Sequence, residues 1–369
     1  MSYWAPILLV VVTAVLLVVP VTPALHELRR RHDANPLLTS RHDGRIKNLA
    51  ESFQSRLEPF REEWERCRAK EEIVRRRRDG IAVLLVGREK FDFDSEPSEP
   101  KECIDAVMCA RAFIPSGRVV DADVSSFGDL HLGQGAVLRA GLVSGDIILD
   151  PGSSVLRWLH ACRTVYLRRG STVHNRLSAD QAIILEPECV FQRLHAPLIL
   201  ALEDSQLPSE DCCTPGILSA LERNLDASAI PSHAPDESRL FAARPRMRIR
   251  GDFVLPAGES LRANVIATGE FHIERGACFF GSAKSYRDTV LEAGARVYGS
   301  IACGGTAYLG TNSFLSGPLL AETDVHLSPG CCVGKPDSLT TIAACSAWIR
   351  PGCRIHGTIW ARVQGRIVA

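Results

Sequence analysis

Over the C-terminal two-thirds of the chain, apolar positions recur every eighteenth residue, a period that belongs to neither a helix nor a single strand. Gly117, Gly135, Gly152, Gly170, Glu188, Gly258, Gly276, Gly294, Asn312, Gly330 and Gly352 serve as anchors, with successive gaps of 18, 17, 18, 18, 70, 18, 18, 18, 18 and 22. Three residues before each anchor stand Ile114, Leu132, Leu149, Leu167, Leu185, Leu255, Ile273, Leu291, Leu309, Leu327 and Ile349. Three after it stand Val120, Leu138, Val155, Val173, Phe191, Leu261, Phe279, Val297, Leu315, Val333 and Ile355. Seven after, most are again apolar, as in Val124, Leu142, Leu159, Leu177, Val265, Ile301, Leu319 and Ile359. Nine after, most are small, as in Ser126, Ser144, Ala161, Ala179, Ala267, Ser285, Cys303, Ala321 and Ala361.

Apolar residues two apart, such as Leu130/Leu132 and Phe253/Leu255, share one face of a short strand. A corner at the anchor and two further short sides return the chain one strand spacing along. The expectation is an all-β solenoid, a triangular β-helix of about eleven 18-residue coils. One coil buries four or five apolar side chains at about 1.5–3 kcal/mol each. Ordering its backbone costs on the order of 1–2 kcal/mol per residue, so no coil folds alone and the stack is the folding unit. Nine of the anchors are Gly, and Asn tolerates a left-handed backbone next best.

The pattern changes twice outside the array. Tyr3–Leu25 carries no charge and is long enough for a membrane span, while Arg29, Arg30, Arg31 and Arg41 follow it. The positive-inside rule then puts the C-terminal body in the cytoplasm. Next, Ile46, Leu49, Ala50, Phe53 and Leu57 recur at helical spacing, Pro59 interrupts, and a second helix is expected from Phe60 to Val74 with Phe60, Trp64 and Cys67 on one side. Arg75–Arg78 is either a solvated helix end or a contact with anionic lipid. Ile81–Val86 reads as a buried strand and Asp92–Lys101 as a linker. The expected divisions are a transmembrane anchor over 1–27, a helical neck over 28–80, a strand and linker over 81–111, a first β-helix block over 112–200, an excursion over 201–246 and a second block over 247–369. Proline punctuates the excursion, where one short helix is expected at Ile217–Leu225. The final gap of 22 implies a four-residue bulge near Lys335–Ala343.

Composition narrows the function. With 43 basic and 43 acidic residues the chain lacks the basic excess of a nucleic-acid binder. The thirteen cysteines form no CxxC or finger spacing, and several fall in small or apolar slots, as reduced thiols would in the cytoplasm. His131, His272 and His326 share an outward column four before the anchor, and His160 and His356 also lie in the array; His174 and His195, near the excursion, are the two histidines worth testing for catalysis. No P-loop, GxGxxG, GxSxG or HExxH motif stands in a fitting context. No residue set is assigned a catalytic, cofactor-binding or metal-ligating role, and no cofactor is expected.

The segments Val290–Ala302 and Ala347–Ala361, with Gly281, Gly299, Gly317 and Gly357 five after their anchors, resemble coils of the bactofilin family. The resemblance spans about Ala112–Val363. It implies a right-handed triangular β-helix that polymerises end to end without nucleotide and positions cell-envelope or polysaccharide machinery at the bacterial inner membrane. The expected function is therefore a membrane-anchored, self-assembling scaffold, whose partners are further copies of itself, the inner membrane and membrane-bound envelope enzymes. The array departs from that family in being longer, interrupted, and preceded by a membrane span with a neck. Two alternatives stand beside it: a non-polymerising adaptor of a glycosyltransferase or exopolysaccharide system, and a hexapeptide-repeat acyltransferase. The acyltransferase would need Gly at six-residue intervals, which the array lacks.

Overall fold

The computed structural model describes residues 47–93, 104–202 and 245–368, together with Trp4 and Thr13. The chain divides into two compact units, Met1–Arg45 and Ile46–Ala369, and only the second is described in any length. Apart from Trp4 and Thr13, both helical, the apolar segment Tyr3–Leu25 lies outside the described residues, as do the arginines after it, most of the Asp92–Lys101 linker and the excursion helix. Among the described residues no helix is long and apolar enough to cross a membrane.

The second unit is an all-β solenoid of about twelve turns, its strands mostly parallel. Each full turn has three sides. On the first, Leu159, Leu177 and Leu194 stack inward; on the second, Leu132, Leu149, Leu167 and Leu185; on the third, Leu138, Val155, Val173 and Phe191. In the second block Leu255, Ile273, Leu291, Leu309 and Leu327 pair rung to rung in one register. Of the twenty-two residues three before and three after the anchors, all but Leu261 are buried; Leu261 sits in the end turn, where no further rung among the described residues covers it.

All eleven anchors adopt a left-handed backbone, including the two that are not glycine, Glu188 (φ 66°) and Asn312 (φ 56°). At most of the anchor glycines a Cβ would meet open space, so the requirement there is conformational. Gly281, Gly299 and Gly317 are different. A Cβ on each would fall on the carbonyl oxygen of the rung before, so they are glycine because stacked backbones touch. At another corner the stacking is polar: the Asp129, Asp146, Asp252 and Asp288 carboxylates each accept from a backbone N–H one turn on, at 2.7–3.0 Å.

Two expectations within the array shift. In the 17-residue turn Gly141, not Leu142, pairs with inward Leu159, and Val143 takes the slot expected of Ser144. One residue fewer in the corner slips the strand by one, which turns Leu142 outward. The stack also starts before Ala112: Ile81–Val86 pairs in parallel with Ala106–Cys109 as the first rungs of the first side. The extra residues of the 22-residue gap form a tight turn closed by Lys335 and Ser338.

The neck is helical over Asn48–Leu57 (α1) and Arg61–Lys70 (α2), joined by a 3₁₀ turn with Pro59. Arg75–Arg78 is no helix end. Glu71 closes α2 in the left-handed conformation, and Ile73–Arg78 forms strand β1, antiparallel to β2 (Ile81–Val86) at the rim of the first turn. The arginines are exposed because β1 is an edge strand, paired among the described residues only with β2.

The blocks join tail to tail. The last strand of the first block, Val190–Ala201, pairs antiparallel with the last strand of the second, Arg354–Ile367. First side meets first side through Leu194 and Ile359, while second and third sides exchange, as Ile199 with Ile355 and Phe191 with Gly365. A Cβ on Gly365 would strike the Phe191 ring. Chain direction thus reverses at the seam, and the second block begins at the end farthest from it. Residues 203–244 link Leu202 at the seam to Pro245 there, about six turns or roughly 29 Å away at ~4.8 Å per turn. Buried His356 completes the seam: its Nδ1–H donates to the Pro197 carbonyl at 2.8 Å, and its Nε2 has no partner among the described residues.

Two consequences are measurable. Gly276→Ala, which strains only φ, should cost about 1–2 kcal/mol; Gly299→Ala, which drives stacked backbones apart, should cost more than about 3 kcal/mol. Urea midpoints of the two variants test the order. Desolvation lowers the His356 pKa from 6.5, against the pull of the Pro197 carbonyl and with help from the Arg354 charge. The unfolded chain therefore takes this proton first. The stability His356 contributes is complete above about pH 6.5 and is lost as pH falls below that value. Melting temperature should accordingly drop on acidification, and His356→Gln should flatten that slope; an unchanged slope would exclude His356 as a source.

Candidate functional site

Chemistry in this molecule gathers on the outer face of the first side, because inward positions are filled with aliphatics and outward ones are free to vary. One outward column there runs Val83, Ala106, Asp123, Ala140, Trp158, Arg176 and Arg193, then crosses the seam to Trp360, Ala343, Leu320, Ala302 and Lys284. The parallel column includes Leu85, Met108, Ser125, Leu142, His160, Ser178, His195 and Thr358.

The neck helices cover the apolar start of both columns. Phe53, Leu57, Phe60 and Trp64, the stripe legible in the sequence, pack with Val83, Leu85, Ala106, Met108, Ala140 and Trp158. Phe53 meets Trp158 edge-on at 5.3 Å between centroids, and Trp64 stacks on Phe127 at 4.0 Å while its Nε1–H donates to the Val86 carbonyl at 3.0 Å. The outward slip of Leu142 gives the helices one more partly buried contact.

Beside α1 lies a groove of about 630 Å³ whose lining includes Arg56, Asp123, Arg139, Arg157 and Arg176. Arg139 is spent on structure: its Nε–H donates to Asp123 Oδ1 at 2.7 Å and its Nη2–H to the Asp105 carbonyl at 2.5 Å. Arg176 Nε is buried without a hydrogen-bond partner among the described residues. The groove therefore has a basic wall, and Arg193 continues the column to stack on Trp360 across the seam at 4.1 Å.

At the edge of the same face His160, Cys162 and Asp180 converge, with one donor atom of each within 4.8 Å of the others. His160 and Ser178 share a hydrogen bond of 2.8 Å through Nδ1, and His160 Nε2 lies 3.8 Å from Asp180 Oδ1. Lys47, the residue before α1, donates to the same Asp180 oxygen. His195 is next in the column and shares a hydrogen bond of 2.9 Å with Thr358 across the seam. Desolvation lowers the His195 pKa, the Lys47 charge acts with it, and Asp180 opposes.

The histidines singled out in the sequence thus separate. His131 and His272 pair outward with Asp150 at 2.8 Å and Glu292 at 3.0 Å, and His326 lies stacked between Tyr308 and Trp348. His174 is exposed on the strand Thr172–Ala179, while His195 is half-buried at the seam. The sequence reading missed His160, Cys162 and Asp180 as a set. Their signal was present: Cys162 and Asp180 both stand ten after an anchor, one period apart, and His160 stands two before Cys162. All ten cysteines among the described residues are free thiols, eight of them buried or half-hidden in the stack.

Past the seam no described element covers the face. Leu320, Trp360 and Tyr286, about half exposed, and Ala302 and Ala343 line a groove of about 720 Å³ with Lys284 and Glu322 at its margins. Comparison with known proteins finds no matching family model, no matching curated protein and no matching solved structure.

The packing of the neck makes its attachment testable. Phe53→Ala should remove about 3–5 kcal/mol of local stability. Hydrogen exchange should then quicken across residues 48–70 while the inward ladders stay protected; equal loss throughout would mean that neck and solenoid unfold as one.

Proposed function

We propose that this chain is a structural scaffold: a rigid β-solenoid held at the inner membrane through Tyr3–Leu25, with its body in the cytoplasm, that presents fixed outer faces to membrane-bound envelope or polysaccharide machinery. Support for the membrane tether is the uncharged apolar run followed by arginines. Of the two scaffold readings, a polymer of the bactofilin type and a non-polymerising adaptor, the second fits the geometry better. The observation that carries this preference is the tail-to-tail seam.

A stacked coil adds copies through ends whose strand edges are unpaired. Here both C-terminal edges are consumed by each other, leaving among the described residues one rim at each block's start. At the first block's rim the outermost strand of the first side is β1, with Arg75, Arg76, Arg77 and Arg78. At the other rim the first strand is Arg246–Ile249, which among the described residues pairs only inward, with Asn264–Ala267, and carries Arg246 and Arg248. Like charges directly opposed disfavour strand pairing, and charged edges are a known guard against it. Joining rim to rim, whether like to like or first to second, sets arginine against arginine.

Sedimentation velocity and electron microscopy of the full chain in detergent should show one discrete species with no filaments or sheets across a wide concentration range. Extended polymers would restore the bactofilin-type reading. Replacing Arg246 and Arg248 by Thr should promote association, since it removes the charge that guards an otherwise regular edge.

A further inference from the structure

We propose that His160, Cys162 and Asp180 form a binding site for a zinc-class divalent cation at the corner between the first and second sides, taking His160 Nε2, the Cys162 thiolate and an Asp180 carboxylate oxygen as ligands. This goes beyond the scaffold reading and does not depend on it.

The donor set is mixed and matches the metal class. Imidazole, thiolate and carboxylate together suit zinc and its neighbours, whereas oxygen-only sites suit calcium and magnesium. Geometry brings them close without rearranging the backbone. Tetrahedral ligands about 2.0–2.3 Å from zinc stand roughly 3.5 Å apart, and His160 Nε2 already lies 3.8 Å from Asp180 Oδ1. The backbone at all three positions is held by the stack: His160 pairs in register with Leu142 and Ser178, Cys162 donates to the Val143 carbonyl at 2.8 Å and Asp180 to the Ala161 carbonyl at 3.0 Å. Ligands mounted on rigid rungs are positioned before the metal arrives.

Support comes from the neighbours as well. Ser178 Oγ can accept from His160 Nδ1–H, which leaves the Nε2 lone pair directed to the ligand side, the arrangement outer partners of metal-bound histidines provide. Lys47 places its ammonium on Asp180, so the corner already attracts a cation, and that cation belongs to the residue at the root of α1. Metal binding would exchange two cations for one: the Cys162 thiol releases its proton to solvent as the sulfur–metal bond forms, and the Lys47 ammonium gives up its carboxylate. Cys162 is exposed, so the site opens to solvent and leaves room for a water as fourth ligand.

Cobalt titration tests this directly. The full chain in detergent, stripped with chelator and kept reduced with a non-coordinating phosphine, should develop a thiolate-to-cobalt charge-transfer band that saturates at one equivalent and disappears when zinc is added. Cys162→Ser should abolish the band, while His160→Gln and Asp180→Asn should each weaken cobalt binding at least tenfold. Ser178→Ala should weaken it about tenfold, and Lys47→Met should tighten it by removing the competing ammonium. Circular dichroism melting checks that Cys162→Ser, at an exposed position, retains the fold. Absence of the band, or a band of full strength in folded Cys162→Ser, would overturn the assignment.

Discussion

Every turn of a β-solenoid takes its backbone hydrogen bonds from the turns on either side, so each is stable only inside a stack and the two end turns carry the unpaired edges. The rest of this structure follows from how that constraint is met. A single continuous stack of this length would expose one edge at its start and another at its finish. Here the chain makes two stacks and turns the second around, so that both finishing edges, Val190–Ala201 and Arg354–Ile367, satisfy each other. Among the described residues the two starting edges remain, and each bears arginines.

The seam succeeds because a triangular turn viewed from its finishing end presents nearly the same outline in either block. Antiparallel pairing across a local two-fold then maps the first side onto itself and exchanges the other two. Where the match is imperfect, a small residue absorbs the difference: Gly365 makes room for the Phe191 ring. The same crowding leaves His356 buried with one ring nitrogen unsatisfied among the described residues, a cost tolerated because its other nitrogen ties the strand to the Pro197 carbonyl.

Periodicity made the interior legible. The ladders around each anchor, the left-handed corners at Glu188 and Asn312, and the close-contact glycines Gly281, Gly299 and Gly317 all repeat, so each copy reinforces the others in the sequence. What did not repeat was missed or misplaced. Leu142 carries the right residue in the expected column, yet the 17-residue turn slips it outward. The first rungs, at Ile81–Val86 and Ala106–Cys109, precede the first anchor glycine and looked like an isolated strand and linker. Arg75–Arg78 has no strand-like composition and becomes β1 only because β2 offers an edge. The seam left no periodic trace, since antiparallel pairing of two strands over 150 residues apart depends on which ends meet rather than on any local pattern.

Outward columns obey looser rules than inward ones, and this is where the solenoid can acquire chemistry. Inward positions must fill a fixed cross-section, so substitution there is limited to similar volumes. An outward side chain need only avoid its neighbours one rung away, at about 4.8 Å. Residues one period apart are therefore delivered to one another at nearly contact distance, with no folding problem left to solve. His131 with Asp150, Arg139 with Asp123, and His160 with Ser178 all arise in this way across single turns. The neck uses the same property on the apolar stretch from Val83 to Trp158, where outward hydrophobes give α1 and α2 a surface to cover. Cys162 above Asp180 is the same arithmetic applied to ligating groups. A fold that repeats its backbone every eighteen residues assembles such pairs whenever two suitable residues occupy one column, and an exposed corner is where they can meet a solute.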